Sequence, residues 1–175
     1  MRLITIIIVL LVLTTTNTFA NKTFIQVEDQ HQKALSILIP MIKKYEGFRA
    51  KPSCDHDGVL TIGYGFTKNV TSKTRVSKEQ ADMLLNILAK ETINGVTHIS
   101  PRLNEETPSF LAGVSDFAFN VGIGGYKHSA LKNCVDRDEH LQVQHELRRW
   151  VHVKHKTLRG LVLRREAECR MVGND

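Results

Sequence analysis

Apolar residues recur at helical spacing along nearly all of this 175-residue chain, and the pattern breaks once, between Lys51 and Phe66. There Asp57-Gly58 is a tight-turn pair, and Val59-Leu60-Thr61-Ile62 has the β-branched content of a strand. Gly63 and Gly65 let backbone pass close to a ligand or another strand. A single small hairpin inside a helical chain admits few architectures. It implies an α+β fold, mostly helical, with a small β-hairpin lobe, a larger helical lobe and a cleft between them.

The flanking segments read as helices in turn. Gln32 to Tyr45 carries Ala34, Leu35, Ile37, Leu38, Met41 and Ile42 at helical spacing, with Pro40 expected to divide it and Gly47 to end it after Glu46. Ser77-Lys78-Glu79-Gln80 is a capping box opening a helix that directs Met83, Leu84, Ile87 and Leu88 toward a core. That helix has a weak point at Gly95 and is closed by Pro101. Thr107-Pro108 starts a buried central helix from Phe110 to Val121, broken by Gly122, Gly124 and Gly125. Shorter helices follow near Ser129 to Val135 and Asp138 to Val151, and a last one runs from about Leu158 to Val172. No repeat or linker interrupts this order, so residues 35–173 are expected to form one domain, with 21–34 as a leader.

The amino terminus sets the compartment. Arg2 precedes an apolar run from Leu3 to Leu13, then threonine-rich sequence ending at Ala20, the layout of an export signal cleaved after Ala20. Leu3 to Asn21 is also nineteen residues without a charge, long enough to serve as a signal-anchor in transient contact with the inner membrane. Either reading exports residues beyond 20. A formal charge of +6 suits an anionic partner, and no basic run interleaved with aromatics points to nucleic acid. Three cysteines in an exported chain permit one disulfide, and Cys134 with Cys169, both in the C-terminal part, is the favoured pair. Cys54 is then left beside Asp55, either a small buried residue or a redox latch on the neighbouring site.

Glu46, Asp55 and Thr61 are the chemistry-bearing residues. Cleaving an acetal between two sugars needs a proton for the departing oxygen and support for an oxocarbenium-like centre. A carboxyl at the floor of an interlobe cleft is partly desolvated and keeps its proton, which suits Glu46 as general acid. Asp55, in a more polar loop, would stay ionised to stabilise positive charge or orient water. Thr61, on the strand opposite, would hydrogen-bond that water. The eight histidines complete no metal set, and Gly63-Tyr64-Gly65 lacks the third glycine of a phosphate loop, so neither cofactor nor metal is expected.

The spacing Glu46, Asp55, Thr61, together with Asp57-Gly58 and Thr61-Ile62-Gly63-Tyr64-Gly65, resembles the active-site signature of the phage-type lysozymes, glycoside hydrolase family 24. The likeness extends over roughly residues 35 to 172. Phe117-Ala118-Phe119-Asn120-Val121-Gly122 resembles the family's central-helix motif, which implies Asn120 as a substrate contact. Arg148-Arg149-Trp150 and Gly160 to Glu166 resemble its C-terminal signature, where Trp150 is expected in the core and Arg164 and Arg165 in structural or surface pairs. Ser53 and Phe66 depart from the family's usual Tyr and His. The resemblance implies an exported, monomeric endolysin acting on bacterial peptidoglycan, in the periplasm or wall of the host bacterium. It would cleave the β-1,4 bond between N-acetylmuramic acid and N-acetylglucosamine with inversion. Two alternatives stand beside it. A lytic transglycosylase would attack the same bond with a single Glu, and a cationic protein would disrupt wall or membrane through basic helices such as Leu147 to Arg170.

Overall fold

The computed structural model describes residues 25–54 and 58–173. Residues 1–20, expected to be an export signal or signal-anchor, and the residues Asp55 and Asp57 lie outside the described residues. The first helix, α1 (residues 25–46), turns Ala34, Leu35, Leu38 and Ile42 into the core. It runs unbroken through Pro40, where a division was expected. Pro40 and Ser36 both sit on the exposed side, so the carbonyl that loses its intrahelical donor is within reach of water. Residues 25–34, read as a leader, belong to the same helix. Gln30 donates its side-chain amide to the Leu103 carbonyl at 3.1 Å and to the Glu106 carbonyl, which docks this part of α1 on the helical lobe.

The small lobe is an antiparallel pair, β1 (Arg49–Cys54) and β2 (Leu60–Gly63), with Ser53 opposite Thr61 and Cys54 opposite Leu60. Past β2 the chain folds back at once. Ile62 and Phe66 exchange both backbone hydrogen bonds, at 3.0 and 2.8 Å, around Gly63-Tyr64-Gly65. Gly65 sits at φ 84°, a left-handed conformation that side chains with a Cβ rarely adopt. Tyr64 and Phe66 are buried edge to face at 6.2 Å, so the turn is anchored by aromatic packing.

The helical lobe begins with α2 (Lys78–Ile99), opened by the expected capping box in which Ser77 and Gln80 bond each other's backbone N–H. Its buried face differs from the expected one. Ala81, Leu85, Ala89, Ile93 and Val96 face the core, and of the four expected there only Leu88 packs against it, whereas Met83, Leu84 and Ile87 are exposed. On that face the small Ala81 and Ala89 alternate with the larger Leu85 and Ile93. Gly95 does not weaken α2. A Cβ there would lie 2.9 Å from Ile123 Cδ1, so its absence admits the chain after the central helix.

After a 3-10 turn (Pro101–Asn104), the central α3 (Pro108–Val121) is capped by Thr107 and buried from Phe110 through Ala118. Around it lie α4 (Ile123–Lys127), α5 (Ala130–Asp136), α6 (His140–Arg149) and α7 (Arg159–Val172). A second hairpin, β3 (His152–Val153) with β4 (Lys156–Thr157), joins α6 to α7 where the sequence suggested no strand. Trp150 is 38% exposed rather than core, edge-on to Phe117 at 5.2 Å. The expected Cys134–Cys169 disulfide is not formed, and the described cysteines are all free. The two thiols have separate surroundings: Cys169 on α7 donates to the Gln144 carbonyl at 3.4 Å, while Cys134 on α5 lies beside Glu139.

Candidate active site

Glu46 closes the last turn of α1, just before Gly47 at φ 66° redirects the chain into β1. The carboxyl therefore comes from the helical lobe and faces the strands of the small one. It lines a cleft of about 470 Å³ together with Arg49, Cys54, Thr61, Gly63, Gly65 and Thr67. Gly65 leaves room beside the carboxyl, because a Cβ there would stand 3.2 Å from Glu46 Oε2. A second, more apolar groove of about 540 Å³ shares Gly65 and Thr67 and continues along Phe66, Leu84, Leu88 and Phe119.

The other carboxylate oxygen is held from behind. Arg164 Nη1, reaching in from α7, donates to Glu46 Oε1 at 2.7 Å. The same guanidinium grips Asp116 of α3 in two-point fashion, Nε to Oδ2 at 2.7 Å and Nη2 to Oδ1 at 3.0 Å. The Arg164 side chain is 4% exposed and that of Asp116 is fully buried. Burial works against the Arg164 charge, but the carboxylates of Asp116 and then Glu46 outweigh it and hold the guanidinium above its ordinary value. The guanidinium also faces the Tyr45 ring at 5.6 Å, and the Tyr45 hydroxyl donates to the Leu163 carbonyl at 2.9 Å. Arg165, the next residue on α7, makes a separate set of contacts. It donates to Glu168 Oε2 at 2.9 Å and to Asn120 Oδ1, and its guanidinium lies 5.0 Å from the Phe117 ring centre.

This geometry places one carboxyl, supported by a buried cation, at the floor of an interlobe cleft with hydroxyls and glycines around it. Comparison with known proteins agrees, since the family described as phage lysozyme matches residues 43–168. The chain belongs to the phage lysozyme family. A SAR-endolysin of Bacteriophage PS119 is 33% identical over 125 residues, covering 70% of this chain and 73% of that one. The muramidase domain of SpmX from Asticaccaulis excentricus matches with a TM-score of 0.69 at 25% identity, over 78% of this chain and 95% of that one. The active form of P1 phage endolysin Lyz shares the fold, with a TM-score of 0.66 at 22% identity over 76% of this chain and 80% of that one. This lysozyme is accordingly a glycosidase and a peptidoglycan-hydrolysing endolysin.

Of the lysozyme's expected site residues, Glu46 and Thr61 meet in one cleft. The Thr61 hydroxyl sits across the sheet from Ser53, 3.2 Å from its carbonyl and 3.5 Å from its Oγ. Asp55 lies outside the described residues. Asn120 is half-buried in the last turn of α3, and its Oδ1 accepts from Arg165 instead of being offered to the cleft. Cys54 is exposed and lines the cleft beside Glu46 and Thr61, so the buried reading of this cysteine does not hold. Among the described residues, Glu106, Asp138 and His140 could gather around a cation, but Arg102 already bridges Glu106 and Asp138.

Arg164, expected in a structural or surface pair, forms a buried one with Asp116 and extends it to the Glu46 carboxyl. Asp116 went unremarked, although an acidic residue inside the apolar stretch Phe110 to Val121 is itself a signal. A carboxylate buried there requires a cation from another element.

Proposed function

We propose that this lysozyme cleaves the β-1,4 bond between N-acetylmuramic acid and N-acetylglucosamine in peptidoglycan, with Glu46 as general acid. The observation that carries the reading is the pose of Glu46: one oxygen fixed by Arg164, the other beside Gly65 in a cleft that Thr61 also lines. A carboxyl held in this way protonates the departing glycosidic oxygen without having to search for it. Asp55 stabilises charge at the anomeric carbon or orients water, and Thr61 hydrogen-bonds that water. Inversion follows if the two carboxyls are about 6.5–9.5 Å apart, as an intervening water requires. Residues 1–20 export the chain to the periplasm or wall, either as a cleaved signal or as an anchor later released from the inner membrane, and the enzyme works as a monomer. Cys54 serves as a latch, since a group attached to its sulfur would occupy the cleft.

The decisive experiment compares Glu46→Gln with the parent enzyme on purified sacculi. Clearing should fall by about 10²- to 10⁴-fold with the fold retained. Clearing at the parent rate would remove Glu46 from the acid role, and products ending in anhydro sugars rather than reducing ends would make the enzyme a transglycosylase.

A further inference from the structure

We propose that Asp116 is a positioning residue for the acid: it anchors the Arg164 guanidinium so that Nη1 is left for Glu46. The proposal rests on the assignment of Glu46 as the acid. Three features of the buried network carry it.

The first is geometric. Guanidinium donors lie in one rigid plane, so binding two of them fixes the direction of the rest. Asp116 takes Nε and Nη2 on its two oxygens at 2.7 and 3.0 Å, and Nη1 meets Glu46 Oε1 at 2.7 Å. The Asp116 carboxylate is fully buried on the central helix, so it gives Arg164 a fixed seat inside the lobe. Glu46, by contrast, lies at a helix end and faces the cleft. Orientation therefore passes from α3 through α7 to the end of α1.

The second concerns charge. A buried arginine needs a counter-charge. Asp116 faces Arg164 on two donors, while Glu168 accepts from Arg165 at 2.9 Å and stands 3.8 Å from Arg164, and burial, with Asp116 adding to it, holds the Glu168 carboxyl well above its usual range. With Asp116 in place, Glu46 is not the sole counterion of Arg164. Glu46 accepts one hydrogen bond from the guanidinium, and Asp116 takes the other two donors on its own carboxylate. Removing the Asp116 charge would leave Glu46 as the nearer counter-charge of Arg164.

The third is selectivity. Asp116 is not among the described residues that line either groove, so it acts on the reaction through Arg164 and not by contact with sugar.

The test is a pH–rate profile of Asp116→Asn on dye-labelled peptidoglycan, alongside Arg164→Gln and the double variant. A general acid loses activity as pH rises through its titration, so that limb reports its proton. For Asp116→Asn we expect kcat to drop about ten- to hundredfold with KM within about twofold, and the alkaline limb to move about one unit to lower pH. The double variant should be no slower than Arg164→Gln alone, because a residue acting through Arg164 has nothing to act on once it is gone. A parent-like rate and limb in Asp116→Asn would overturn the proposal, as would a further tenfold loss in the double variant. If Asp116→Asn does not fold, the comparison of Arg164→Gln with the double variant decides the matter, since the double variant removes both buried charges together. Failure of the acid assignment would look different: Glu46→Gln would then keep the parent rate whatever Asp116→Asn did.

Discussion

The Tyr64 hydroxyl donates to Asp82 Oδ1 at 2.7 Å and ties the turn of the small lobe to the first turns of α2. Lys43 of α1 reaches the same carboxylate oxygen at 2.8 Å. Asp82 is thus the point where the three elements that frame the cleft converge. Lys43, and then Tyr64, hold its carboxyl below the usual aspartate range. Burial, reinforced by the Asp82 hydrogen bond and charge, pushes the Tyr64 phenol up to about 12.

These two shifts predict opposite limbs of a stability profile. A depressed carboxyl contributes stability above its unfolded pKa, about 3.9, and that contribution is lost as pH falls through the lower folded value. A raised phenol contributes below its unfolded pKa, about 10, and that contribution is lost as pH rises toward its folded value. Asp82→Asn should lower stability at pH 7 and flatten the acid limb below about pH 4. Part of the alkaline limb should persist, because burial of Tyr64 is its first cause. Denaturant melts from pH 2 to pH 11 would show this. An acid limb identical in the variant and the parent would mean that Asp82 carries none of it.

Cysteine accessibility yields a second prediction. Cys54 is exposed in the cleft, whereas Cys169 is buried and its thiol is pushed by that burial up to about 11. Thiolates react and thiols scarcely do. A bulky disulfide reagent at neutral pH should therefore modify Cys54 well before Cys169, and clearing activity should fall in step with the first modification. Cys54→Ser should be insensitive to the reagent. Parent enzyme that stays fully active after quantitative labelling of Cys54 would dispose of any latch at this position.

A third prediction separates the two faces of α2. Leu85→Ala opens a cavity at a fully buried site and should cost about 2–5 kcal/mol. Met83→Ala, at a position 69% exposed, should stay within about 0.5 kcal/mol. Thermal melts of the two variants suffice. Equal losses would contradict the orientation of this helix.

That contrast also shows what was legible in the sequence. Caps are local, so Ser77-Gln80 and Thr107-Pro108 announced the starts of α2 and α3 correctly. The facing of α2 is a tertiary outcome, since Ala81, Leu85 and Ala89 turn to the core while spacing alone pointed to Met83 and Ile87. The hairpin from His152 to Thr157 was hidden for another reason. Its turn residues, Lys154 and His155, both adopt positive φ without being glycine or asparagine, so the usual turn signal is missing. At the site, Glu46 and Thr61 were readable because they sit in one short segment. Arg164 is 118 residues away from Glu46, and only the packing of α7 against α3 brings it there.

The last prediction concerns the glycine beside the acid. Gly65 adopts φ 84°, and a methyl group at its Cα would stand 3.2 Å from Glu46 Oε2. Gly65→Ala should therefore have two separable effects. The left-handed backbone becomes strained, at about 1–2 kcal/mol of stability. The methyl also crowds the oxygen that faces the cleft, and Oε1 is already committed to Arg164, so the carboxyl has little freedom to turn away. A displacement of a few tenths of an ångström at a proton donor lowers the rate more than a small loss of folded fraction does. Clearing should fall about ten- to hundredfold at a temperature where melting curves show the variant fully folded. A folded Gly65→Ala enzyme with the parent rate would mean that the space beside Glu46 Oε2 is not used by the reaction.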